Sequence, residues 1–166
     1  MDDLFLTGEE KLITECKKRL VAEFEMKYLG LMHYFLGLEV WQSPERIFLN
    51  QGKYTVEILK RFDMLECKPM NTPMEAKLKL LVDTSSDLID ATLYRQIIGS
   101  LMYLMNTRPN ICFAVNTLIQ FLVEPRCVHL VATKHVMRYL KGTIDYGLSY
   151  DGDWARSIAD GKSTFG

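Results

Sequence analysis

The sequence predicts an α+β fold in two parts. Three observations carry that prediction. Apolar residues recur at helical spacing up to about Glu25; two short runs across residues 33–49 are dense in aromatic and aliphatic side chains; and from Ala91 onward the pattern is helical alone. With 166 residues, 48% hydrophobic and 25% charged, the chain suits one domain or two small subdomains sharing a limited core.

The opening Met1-Asp2-Asp3-Leu4-Phe5-Leu6 sets two carboxylates at the head of a short apolar strand. Hard oxygens of this kind suit Mg²⁺, and paired ions can clamp the attacking and leaving oxygens of a displacement. Two aspartates at a chain end are equally a solvated terminus. Thr7-Gly8-Glu9-Glu10 reads as a turn and helix start, with early acids favouring the helix dipole. Leu12, Ile13, Cys16, Leu20, Val21 and Phe24 then form one apolar stripe, opposite Lys17, Lys18 and Arg19. His33 to Val40 reads as a strand, Ser43-Pro44-Glu45 as its break, and Arg46 to Leu49 as the answering strand of a hairpin. Helical period returns from Gln51 to Phe62 through Tyr54, Ile58 and Leu59.

Residues 67–90, with Pro69, Thr72-Pro73 and the polar run from Asp83 to Asp87, predict an extended, exposed connection after a first part spanning residues 1–66. Three helices follow within residues 91–143. Tyr94, Ile97, Ile98, Leu101 and Met102 mark the first, which ends at Arg108-Pro109. Ile111, Phe113, Ala114, Val115 and Leu118 mark the second, which stops before Pro125. Val131 to Leu140 marks the third, ending at Gly142. Short connections imply compact three-helix packing. Residues 144–166 close the chain.

A formal net charge of −1 excludes a global basic field, although a local basic patch is compatible with it. Cys16, Cys67, Cys112 and Cys127 fall in no CxxC spacing and read as reduced thiols of an intracellular protein. Cys127 and His129 would supply only half of a zinc site. His129 and His135 read as solvated or hydrogen-bonded helix residues, and Phe113, Tyr139 and Trp154 as core. A signal peptide and a spanning apolar segment are both missing from the pattern, so no membrane partner is expected.

Several stretches share an order and spacing that resemble one family. They are Asp2-Asp3-Leu4; Met26-Lys27-Tyr28-Leu29-Gly30 with His33-Tyr34-Phe35-Leu36-Gly37-Leu38-Glu39-Val40; Cys67-Lys68-Pro69 with Thr72-Pro73-Met74; Tyr94-Arg95 with Gly99-Ser100-Leu101-Met102-Tyr103-Leu104; Thr107-Arg108-Pro109; and Arg138-Tyr139-Leu140-Lys141-Gly142-Thr143. Together they resemble the reverse transcriptase region of plant Ty1/copia-type retrotransposon Pol polyproteins. Asp2-Asp3 looks like the end of the Tyr-Val-Asp-Asp polymerase motif, with Met1 in place of the Val. Asp151-Gly152-Asp153-Trp154 looks like the opening of the RNase H region. Pro109-Asn110 departs from the usual Pro-Asp.

The resemblance implies the distal half of a polymerase palm at 1–66, a linker at 67–90, a helical thumb-like subdomain at 91–143 and the start of an RNase H-like region at 144–166. In the parent enzyme, Asp2 and Asp3 would be catalytic metal ligands for Mg²⁺ or Mn²⁺, and Asp151 would be the first ligand of the nuclease. The partners it implies are an RNA–DNA or DNA template-primer duplex and the remainder of the Pol polyprotein. An earlier palm aspartate and the fingers are expected to be lacking, so the isolated chain is expected to be inactive and to bind no metal. Phe35 and Gly37 would lie where such enzymes grip the primer end, although a strand bulge also explains Gly37. Gly99 and Ser100 would let a helix approach a duplex groove, or simply another helix. Arg95, Arg108, Lys134, Arg138 and Lys141 would meet phosphates; Lys134, Arg138 and Lys141 share one helix face, which a solvated basic surface would equally show. Alternatives are a helical protein-interaction module and a retroelement relic. Compartment stays open between cytoplasm, nucleus and mitochondrion.

Overall fold

The computed structural model describes residues 6, 9–26, 30, 32–43, 46–75 and 86–151. Asp2 and Asp3, Trp154 and the RNase H-like motif beyond Asp151 lie outside them. Five α-helices and a four-stranded antiparallel sheet make up the described residues, an α+β mixture as the sequence predicts. The elements run α1 (Glu10–Glu23), β1 (Tyr34–Phe35), β2 (Leu38–Gln42), β3 (Arg46–Asn50), α2 (Gly52–Arg61), α3 (Ala91–Leu104), a 3₁₀ turn (Pro109–Ile111), α4 (Cys112–Ile119), α5 (Cys127–Gly142) and β4 (Gly147–Asp151). The sheet order is β1-β2-β3-β4.

The chain divides into two compact units. One holds residues up to Phe35, Val40–Phe48 and the residues from Ser149 onward. Its helix α1 leaves Leu12 and Val21 exposed, with Phe24 exposed just past its end, and no described residue of α1 is buried. Arg19 and Glu15 pair across one turn at 2.6 Å on the solvated face. In β2 and β3, Trp41 and Phe48 bring their ring centroids to 5.7 Å.

The other unit holds Leu36–Glu39 and Leu49–Leu148. Its core is built at helical spacing from Ile58 and Leu59 of α2, Tyr94, Ile97, Ile98, Leu101 and Leu104 of α3, Ala114, Val115 and Leu118 of α4, and Ala132, Val136, Met137 and Leu140 of α5. Burial of such side chains contributes about 1.5–3 kcal/mol each, which is why apolar periodicity tracks the core here. Helix α2 therefore shares the core of α3–α5. Two helix starts are capped from sequence. The Asp90 carboxylate accepts the Thr92 N–H at 2.7 Å, and His129 Nδ1 accepts the Arg126 N–H at 3.0 Å while its ring stacks on Phe121 at 3.8 Å.

Three expectations need correction. The run from His33 to Val40 is two strands, not one, because a tight turn at Leu36-Gly37 reverses the chain. Residues 67–75 are largely exposed as expected, but they bend rather than run extended and lie against α5: the Met70 N–H donates to the Arg138 carbonyl at 3.2 Å, and His135 Nε2 sits 3.0 Å from the Thr72 carbonyl. Phe113 is 77% exposed rather than core. On a helix as short and apolar as α4, spacing alone cannot choose the buried face, and Ala114, Val115 and Leu118 occupy it instead.

Candidate nucleic-acid interface

The hairpin tip between β1 and β2 is made by only two residues, Leu36 at φ 47° and Gly37 at φ 79°. Positive φ at both central positions is the mirror-image turn whose twist suits a β-hairpin. Glycine adopts it freely; leucine there costs roughly 1–2 kcal/mol. Leu36 is nevertheless 76% exposed, so its own side chain gains little by burial. What holds it is the Tyr103 hydroxyl of α3, which donates a hydrogen bond to the Leu36 carbonyl. A Cβ on Gly37 would collide with that same hydroxyl. The turn and the tyrosine thus give Gly37 a reason that neither a bulge nor a bound sugar-phosphate requires. The Tyr103 ring stands edge-on to Tyr54 at 4.8 Å and 79°. Two residues beyond the turn, buried Glu39 accepts the Lys53 N–H at 2.7 Å, setting a carboxylate against the start of α2, where the helix dipole favours it.

Helix α3 turns Thr92, Arg95, Gln96, Gly99 and Met102 toward solvent, and Asn106 just past its end is exposed as well. Gly99 would have no neighbour within 4 Å of a Cβ, so helix packing among the described residues does not explain it. Arg95 is exposed and its Nε–H donates to the Leu122 carbonyl at 3.1 Å. Ser100 faces the other way: it is buried, and its hydroxyl returns to the Gln96 carbonyl at 2.9 Å. On α5, Lys134 is exposed and Lys141 half-buried. Arg138 between them donates from Nε to the Lys68 carbonyl at 2.7 Å, so part of its guanidinium fastens the 67–75 segment. Phe35 is half-buried in β1.

Arg108 corrects the expectation that it would meet a phosphate. It is 1% exposed, with Nη2 donating to the Thr143 hydroxyl at 2.5 Å and Nη1 to the Tyr146 carbonyl at 3.4 Å. Its guanidinium lies 5.6 Å from the Tyr146 ring. Burial lowers the pKa of this group, and the nearby Tyr139 and Tyr146 act against that fall. The preceding Thr107 donates its hydroxyl to Gln51 Oε1 at 2.7 Å, so a buried polar cluster ties the ends of α3 and α5 to the start of α2. Asn110, beside it, donates to the Tyr139 hydroxyl at 2.6 Å.

Among the described residues, no group of three or more His, Cys, Asp or Glu side chains could hold a metal ion. For Asp151 the structure gives the backbone of β4, and Asp2 and Asp3 lie outside the described residues. Nor is any described helix long and apolar enough to cross a membrane. Sequence reasoning missed Tyr103, Leu36 and Glu39 as a set. The Leu-Gly pair inside a strand-like run was the available sign of a turn, but nothing local points to a tyrosine 67 residues away.

Residues 1–76 match the family described as reverse transcriptase (RNA-dependent DNA polymerase). The chain belongs to that family, in the form carried by copia-type retrotransposon Pol polyproteins. It is 40% identical over its full length to an uncharacterized mitochondrial protein of Arabidopsis thaliana, AtMg00810, of which it spans 74%. It is 39% identical to the retrovirus-related Pol polyprotein from transposon RE2 of the same plant and 38% identical to that from transposon RE1, spanning 12% of each. It is also 34% identical to the Pol polyprotein from transposon TNT 1-94 of Nicotiana tabacum. The chain therefore corresponds to a portion of a reverse transcriptase. No solved structure matches it. Reverse transcriptases generally use Mg²⁺ or Mn²⁺.

Proposed function

We propose that this chain supplies template-primer binding surfaces of a copia-type reverse transcriptase, with an RNA–DNA or DNA duplex as the ligand. The observation that carries the reading is the outward face of α3. There an exposed Arg95 and a glycine with open space above it leave a helix surface that a duplex groove can approach closely. On this reading Phe35 and Gly37 lie at the primer end, Arg95 and Gly99 along the groove, and Lys134, Arg138 and Lys141 at phosphates. Ser100 supports α3 from within, and Arg108 holds the fold.

Residues 1–66 are read as the distal palm, 67–90 as the connection, 91–143 as the thumb-like helices and 144–166 as the start of a nuclease region. Asp2 and Asp3, and separately Asp151, would be the carboxylates that meet the metal in the whole enzyme. The rest of the Pol polyprotein is the partner this division calls for.

Binding of a fluorescent RNA–DNA duplex across a salt series tests the proposal. Affinity should fall steeply with salt. Lys134→Glu with Lys141→Glu should weaken binding and flatten the slope by about one for each phosphate that is no longer neutralised. Salt-independent binding, or a slope that the double variant leaves unchanged, would sink it.

A further inference from the structure

We infer that Tyr103 is a positioning residue that locks the hairpin tip, Leu36 and Gly37, to α3, so that Gly37 and the open face of α3 act as one body. This rests on the duplex-binding reading above and adds a residue and a coupling to it.

Four observations lead there. The first is the bond itself: the Tyr103 hydroxyl donates to the Leu36 carbonyl, the acceptor in the middle of the two-residue turn. The second is fit. A Cβ added to Gly37 would run into that hydroxyl, so no larger residue could stand there without moving the tyrosine. The third is the strain at Leu36, a leucine held at positive φ while its side chain stays exposed, so that burial of the side chain does not offset the cost. Strain of about 1–3 kcal/mol persists only where surrounding structure over-determines it, and it gathers at functional positions. The fourth is grouping: Leu36–Glu39 belong to the helical unit, while Tyr34 and Phe35 just before them do not.

Tyr103 also sits one helical turn after Gly99, and Met102 beside it is exposed. The tether therefore starts from the open part of α3. A second bond, from the Lys53 N–H to the Glu39 carboxylate, fixes the far side of the turn to α2. With both in place the tip cannot shift without α3. Without the hydroxyl the tip keeps the β1–β2 pairing and the Glu39 bond but loses its tie to α3.

Tyr103→Phe in the full chain isolates the hydroxyl, because the ring can keep its edge-on packing against Tyr54. Two readouts apply. Amide hydrogen exchange at Gly37 and Leu38 should quicken about tenfold in Tyr103→Phe while the core amides of α3 and α5 stay as protected as before; unchanged exchange at the tip would overturn the tether. The second readout compares an RNA–DNA duplex carrying a recessed primer end with a blunt duplex of equal length. Wild type should favour the recessed end, and Tyr103→Phe should lose most of that preference, roughly fivefold or more, while binding the blunt duplex as wild type does. Full retention of the preference by Tyr103→Phe would overturn the positioning role. Equal weakening on both duplexes would also overturn it, since that is what a merely structural loss produces. A wild-type chain that binds neither duplex refutes the nucleic-acid reading itself, and hydrogen exchange then still decides the tether on its own.

Discussion

Tyr94 shows how much a single buried polar group can couple this fold to its medium. The side chain is fully buried in the helical core, with its hydroxyl donating to the Leu118 carbonyl at 2.9 Å. Burial pushes the phenol up to about 12, and a hydrogen bond with Thr133 partly opposes the rise. In the unfolded chain the same phenol titrates near 10. Between those values the unfolded state has given up a proton that the folded state retains, so the native state binds more protons and stability declines as pH rises. The contribution is complete below about pH 10 and lost through about pH 12, on the order of 2 kcal/mol. Urea titrations at pH 9 and pH 11.5 should show this decline, and Tyr94→Phe should show a smaller one. Helical spacing announced Tyr94 as a core residue. Its partner was not legible, because a hydrogen bond from α3 to α4 follows from tertiary packing and leaves no trace in local pattern.

Among the elements, helices were the most legible, since each buries one face and the spacing of its apolar residues records which. Strand boundaries were less so. The largely apolar run from Tyr34 to Val40 does not reveal that Leu36 takes a positive φ, and its carbonyl's partner on α3 lies far along the chain. Arg108 was misread for a related reason. An arginine before a proline at a helix end looks solvent-facing, yet here it closes the gap between the 3₁₀ turn and the end of α5 by bonding Thr143 and the Tyr146 carbonyl. Arg108→Ala should loosen that junction, lowering stability by about 2–4 kcal/mol through lost hydrogen bonds and a cavity. Faster exchange at the amides of residues 139–143 would accompany it. A variant as stable as wild type would show that the buried guanidinium contributes nothing to the fold.

At the level of the whole molecule, the two units differ in how much apolar surface they cover. The helical unit closes a core around α2–α5. Helix α1 of the other unit leaves Leu12 and Val21 on its surface, with Phe24 exposed just past its end. Exposed apolar side chains that no core covers favour association, so the purified chain should self-associate in a concentration-dependent way by sedimentation velocity. Leu12→Ser with Phe24→Ser should shift it toward monomer without lowering the melting temperature of the helical unit. A chain that stays monomeric at high concentration would contradict this. The α+β character was readable because periods of two and 3.6 residues separate cleanly along the sequence. That α2 shares its core with α3–α5 was not, since the 67–90 connection looks like a divider and only the packing of Ile58 and Leu59 shows otherwise.

The Tyr103–Leu36 bond has a consequence for the order in which this chain can take shape. A hairpin normally forms within microseconds from neighbouring residues. Here the tip depends on a partner 67 residues later in the sequence, so its final geometry waits on a long loop closing and on α3 reaching its place. As the chain leaves the ribosome, β1 and β2 emerge long before the tyrosine that fixes the turn between them. The tip of the hairpin should therefore be among the last features to become native, although it is among the first to be made.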